Sequence, residues 1–94
     1  MKKNYLADVA PDKVFWVYNG GTLKNMEELA GALKGISAEQ FKHHVNKERN
    51  DFTSWVKDII GDKALAANLF KVKRQSAAAN AVKKRISQLK KKRK

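Results

Sequence analysis

The chain contains no cysteine, which excludes disulfides and thiolate metal sites. Proline occurs once, at Pro11, and closes an opening segment that reads as loosely structured. No stretch reaches the length of a membrane span, and Met1 to Tyr5 lack the apolar run of a secretory signal. The expected location is therefore the cytoplasm. Acidic residues are missing from positions 71–94, and aromatic residues are missing after Phe70. Both absences fall on the same quarter of the chain.

What is present explains why that matters. Of 94 residues, 43% are hydrophobic, an ordinary fraction for a folded protein. This length holds one domain with a thin core. In residues 1–70, ten Lys/Arg stand against nine Asp/Glu, a surplus of one; residues 71–94 carry eleven Lys/Arg and no acid, and together these make the net charge of +12. A balanced body with a polycationic end points to a polyanionic partner, nucleic acid ahead of an anionic membrane.

Local signals predict a mainly α protein: three to four helices in a small bundle, a short extended N-terminal segment and a long basic C-terminal helix. Val14, Phe15, Trp16 and Val17 form a brief β-prone run, stopped by Asn19, Gly20 and Gly21. Asn25 with Glu28 resembles a capping box and opens a helix with Met26, Leu29, Ala30 and Leu33 on its apolar face, ending near Gly35. Ser37 with Gln40 repeats the device ahead of Phe41, His44 and Val45. Asn50 or Asp51 caps a third helix, in which Phe52, Trp55, Val56, Ile59 and Ile60 fall at helical spacing. Gly61 ends it and Asp62 caps the next.

From Lys63 nothing in the sequence stops a helix. Leu65, Leu69, Val72, Ser76, Ala79, Val82, Ile86 and Leu89 alternate by four and three along one stripe. The first part of this helix docks through Leu65 and Leu69, with Phe70 a further candidate. The second part has only a thin stripe and is expected to fray on its own, and Lys90 to Lys94 are expected to repel one another into disorder. The domain reading is a flexible N-terminus at 1–13, a compact helical domain at 14–70, and a basic helical extension with a lysine-rich tail at 71–94.

The residues Leu23, Asn25, Met26, Glu27, Glu28 and Leu29, then Phe41, His44, Val45 and Asn46, form a recognisable series. It continues through Asn50, Asp51, Phe52, Trp55, Val56, Asp58, Ile60, Gly61 and Asp62. Over about residues 14–70 this block resembles a family of small helical prokaryotic domains, many of them archaeal, with no established activity. The resemblance implies a compact helical domain, carries no catalytic or ligand residues, and does not extend over the basic C-terminal segment.

The candidate nucleic-acid contacts fall in three clusters: Lys71, Lys73 and Arg74; Lys83, Lys84 and Arg85; and Lys90, Lys91, Lys92, Arg93 and Lys94. Lys42, Lys47 and Arg49 are candidates for secondary phosphate contacts. Ala77, Ala78, Ala79 and Ala81 keep the spacer slim, so cations can approach phosphates closely. Phosphate neutralisation releases counterions and makes affinity salt-dependent, and it carries no sequence information. Gln75, Asn80 and Gln88 are too scattered for base-edge reading, and the aromatic-free tail argues against base stacking as its main device. The expected role is a non-sequence-specific, nucleoid-associated DNA-binding protein acting on duplex DNA. RNA or ribosome association, and a protein-interaction module with a localising tail, are the alternatives.

Other readings fare less well. A membrane-surface helix would need Trp or Phe on its stripe. The four–three stripe suits pairing of two chains, which makes a homodimer through the C-terminal helix an expectation. A helix-turn-helix over residues 37–60 would present Thr53, Ser54, Lys57 and Asp58, a nearly neutral surface. His43 and His44 point about 100° apart on a helix and cannot share a metal as i, i+4 pairs do; no metal and no cofactor is expected, and His44 reads as a core hydrogen-bonding group. Gly20-Gly21 reads as a turn, and Trp16 and Trp55 as core. The serines and threonines have no base nearby in the pattern, so no catalytic residues and no enzyme activity are expected.

Overall fold

The computed structural model describes residues 4–92, with Lys92 described by its backbone alone. A 3-10 turn at Pro11–Lys13 leads into a two-stranded antiparallel hairpin, β1 (Phe15–Trp16) and β2 (Thr22–Leu23), with Phe15 opposite Leu23 and Trp16 opposite Thr22. Five α-helices follow: α1 (Met26–Gly35), α2 (Ala38–His44), α3 (Asp51–Trp55), α4 (Lys63–Lys71) and α5 (Gln75–Lys92), with a π-helical turn at Val56–Ile60 between α3 and α4.

Side-chain caps set the helix starts. Asn25 Oδ1 accepts from the Glu28 amide at 2.8 Å, and the Glu28 carboxylate reaches back to the Lys24 amide at 2.9 Å. Ser37 and Gln40 form a full reciprocal box. Asn50, not Asp51, caps α3 through the Thr53 amide, and its Nδ2 donates to the Leu69 carbonyl at 3.2 Å, tying the start of α3 to the end of α4. Gly61 sits at φ 90, a left-handed geometry that closes the π turn without a Cβ clash, and its amide and that of Asp62 both donate to the Val56 carbonyl. Asp62 then caps α4 through the Leu65 amide at 3.2 Å.

The core runs from Phe15 and Leu23 through Met26, Leu29, Leu33, Phe41, Phe52, Trp55, Val56, Leu65 and Leu69 to Ala78, Val82 and Ile86. Its aromatic centre is Phe15, stacked on Phe52 at 4.9 Å between centroids and edge-on to Trp55 at 5.8 Å. Trp55 donates its indole N–H to the Lys13 carbonyl at 2.8 Å. Strand alternation decides the other tryptophan. With Phe15 and Val17 turned inward, Trp16 points out and is 74% exposed, against the expectation of a core residue.

Three further expectations are corrected by packing. First, residues 5–9 are held: the Val9 amide donates to the Lys24 carbonyl at 2.7 Å, and Tyr5, Leu6 and Val9 pack against the core. Second, the helix from Lys63 is not continuous. It stops at Lys71, Val72 is extended at ψ 126, and α5 begins afresh at Gln75. The break turns α5 back onto α1, its most extensive neighbour, and resets the helical phase. The buried positions become Ala78, Val82 and Ile86, Ser76 is exposed, and Phe70 is left 64% exposed. Third, α5 runs on through Lys90, Lys91 and Lys92, against the expectation of a disordered tail; Arg93 and Lys94 of that tail lie outside the described residues.

The physical reason for the break is burial. A straight helix would carry Val82 and Ile86 away from the body and leave Met26, Leu29 and Leu33 partly wet. Each large apolar side chain returned to a core contributes about 1.5–3 kcal/mol, more than the tenths of a kcal/mol per residue that separate good helix formers from indifferent ones. Gln75 locks the return, donating from Nε2 to the Leu33 carbonyl at 2.9 Å and the Ile36 carbonyl at 2.7 Å. It thereby caps the C-terminus of α1 from another helix. The compact unit therefore continues past residue 70, and the apolar stripe expected to pair two chains is used within one.

Candidate nucleic-acid interface

Docking of α5 sorts its side chains by direction. Because Ala78, Val82 and Ile86 face α1, the positions opposite them are turned to solvent, and Lys83, Lys84, Lys90 and Lys91 are all exposed. The pairs 83–84 and 90–91 lie seven residues apart, two turns along the same face and about 10 Å along the axis. Lys71, Lys73 and Arg74, also exposed, occupy the end of α4 and the break that follows. Ser76, Asn80, Ser87 and Gln88 complete the outer surface with neutral groups.

Among the described residues of α5, two of the predicted contacts have carboxylate partners inside the molecule. Arg85 is turned toward the body: its Nε donates to Asp62 Oδ2 at 2.7 Å and its Nη2 to Oδ1 at 3.1 Å. Asp62 is 1% exposed and the Arg85 side chain 19%. A bidentate guanidinium on a buried carboxylate is the arrangement in which arginine binds most strongly, and removing either partner strands a buried charge. Arg85 is thus an internal counter-ion in this fold, and sequence spacing alone placed it with its neighbours. Lys90 meets Glu27 of α1 at 2.9 Å, but both side chains are more than half exposed, so this pair contributes little.

The secondary candidates divide in the same way. Lys42 on α2 and Lys47 in the loop after it are exposed. Arg49 braces that loop, donating from Nη2 to the His43 carbonyl at 3.1 Å and lying 3.5 Å from Asp51. Within residues 37–60, the second helix is only Asp51–Trp55 before the π turn, too short to present the reading face of a helix-turn-helix.

His44 is buried with both ring nitrogens occupied. Nδ1 lies 2.8 Å from Asp51 Oδ2, and Nε2 accepts from the Tyr18 amide at 2.9 Å. With Nε2 accepting, Nδ1 is the nitrogen that donates, toward Asp51, and the two bonds join the hairpin to α2 and α3. His43 stacks on Tyr18 at 4.0 Å. The Gly20-Gly21 dipeptide lies in the hairpin loop, where Asn19 is left-handed at φ 53 and a Cβ on Gly20 would meet the Val17 side chain at 3.0 Å. Gln40 holds this loop from α2, donating to the Tyr18 and Asn19 carbonyls.

An open groove of about 750 Å³ runs between α1 and α5, with Lys34 and Lys83 on its rims and Ala30, Gly31 and Ala79 in its wall. A smaller one, about 390 Å³, lies between α3, the π turn and α4. Among the described residues, no helix is long and apolar enough to cross a membrane. Compared with family models, with curated proteins and with solved structures, the chain gives no match in any of the three.

Proposed function

We propose that this protein binds nucleic acid without reading its base sequence, with duplex DNA as the main partner in a nucleoid-associated role. The observation that carries the reading is the orientation of α5. Its apolar stripe is spent on α1, which leaves Lys83, Lys84 and Lys91 facing outward, with Lys90 on the rim beside Glu27, on a docked helix that contains no acidic residue. Lys71, Lys73 and Arg74 extend the cationic surface at its start. Lysines held on a rod lose less freedom on meeting phosphates than lysines on a loose chain. The spacer supports the reading as well, because alanines at 77, 79 and 81 leave the flanks of the helix slim.

The test keeps the chain whole, since deleting α5 would uncover Met26, Leu29 and Leu33. A Lys83→Gln, Lys84→Gln, Lys91→Gln variant is titrated against a labelled duplex at several salt concentrations. The log–log salt slope is expected to fall by about 0.9 for each phosphate no longer neutralised, with the far-UV spectrum unchanged. Wild-type affinity and slope in that variant would reject the reading. Competition by structured RNA, run alongside, decides between duplex DNA and RNA as the preferred partner.

A further inference from the structure

Phe70 is the last aromatic residue of the chain, and it stands out of the surface. It lies on α4 with Lys63, Ala66 and Ala67 at helical spacing, so small side chains leave the ring free on that face. Across the groove, Thr53 and Lys57 come from α3 and the π turn, and Lys71 closes the end. Three lysines line a space of about 390 Å³, and no carboxylate does. Lys73 adds a fourth cation, its Nζ 5.6 Å from the centre of the Phe70 ring. The Thr53 hydroxyl in the wall is buried and has no hydrogen-bond partner among the described residues.

We propose that this groove is a subsite for one unpaired base of a single-stranded nucleic acid, stacked on Phe70, with its neighbouring phosphates held by Lys57, Lys63 and Lys71. An isolated exposed apolar residue needs no explanation. An exposed aromatic inside a ring of cations, above a groove within the size range of small-ligand sites, is a different feature. Every base has a π-face, so stacking tolerates any sequence, and the cations supply the backbone contacts. The hold of a lysine on an exposed ring is weak enough for Lys73 to give way to a base. Lys71 and Lys73 also belong to the cationic surface proposed above, so a strand leaving a duplex bound along α5 would meet this groove at the root of that helix.

The experiment measures binding of the full chain to three labelled probes: a short oligothymidylate, an abasic chain of equal length and charge, and a blunt duplex. Oligouridylate is run in parallel to separate RNA from DNA. The wild type should prefer oligothymidylate over the abasic chain by about five- to hundredfold. Phe70→Leu, an exposed change that should leave the melting temperature intact, removes the preference, whereas Phe70→Trp keeps or increases it. Duplex affinity is unchanged in both. Equal binding of the base-bearing and abasic chains would overturn the proposal, as would a preference that survives Phe70→Leu. If Phe70→Leu weakens polyglutamate binding as much as oligothymidylate binding, the occupant is an acidic peptide and the proposal is overturned too. Each of these failures, with duplex binding intact, leaves the α5 surface standing.

Discussion

Arg85 and Lys84 are neighbours with opposite duties. Lys84 faces solvent and touches nothing that depends on it, whereas Arg85 neutralises Asp62, a carboxylate that also caps α4. Arg85→Ala should therefore cost about 3–5 kcal/mol of stability in a denaturant titration, because Asp62 is left charged and unpaired in the interior. The same variant should leave the salt slope of duplex binding at its wild-type value. Lys84→Ala should do the reverse, with the slope falling by about 0.9 and stability within about 0.5 kcal/mol of wild type. An equal drop in slope for both variants would make Arg85 a phosphate-binding residue after all. Replacing His44 with Phe keeps the aromatic packing on Phe15 and Phe52 but strands the Tyr18 amide and takes one of two partners from Asp51. Its expected cost is about 1–3 kcal/mol by thermal or chemical unfolding.

At the level of elements, the decisive event is the return of α5 onto α1. Val82 is fully buried on the docked side of α5, between Ala78 and Ile86. A Val82→Asp variant places a charge among apolar side chains, and the helix should undock rather than hold it there. Limited trypsin digestion reads the outcome, because undocking opens the segment around Lys73 and Arg74 to cleavage. Cleavage confined to the C-terminal lysines in both proteins would show that docking does not depend on the stripe. The α3–α4 pair behaves differently, joined by Asn50 and by the left-handed Gly61 as well as by apolar contact, and so is held at both ends.

For the molecule as a whole, the net charge of +12 on 94 residues sets its response to salt. Like charges along α5 repel, and among the described residues of that helix Arg85 and Lys90 are the ones paired with a carboxylate. Raising ionic strength from about 10 mM to about 200 mM shortens the Debye length from about 30 Å to under 10 Å. The melting temperature of the free protein should rise over that range while duplex affinity falls. A fall in melting temperature would mean that attractive pairs such as Lys90–Glu27 outweigh repulsion.

The primary structure determined the local features by itself. Asn25, Ser37, Asn50 and Asp62 start helices where the pattern places them, and Gly61 ends one, because a cap needs only a side-chain oxygen within three residues of a free amide. The segregation of positive charge was equally legible, being a matter of counting. Tertiary packing alone decided which way each side chain turned. Helical spacing permitted a straight rod from Lys63, but the gain from covering Met26, Leu29 and Leu33 bent the chain at Val72. That bend removed Arg85 from the cationic surface, set Lys83, Lys84 and Lys91 outward, and left Phe70 standing in the open. Local sequence is blind to such choices because they depend on contacts between residues 42 positions apart, such as the Leu33 carbonyl and Gln75.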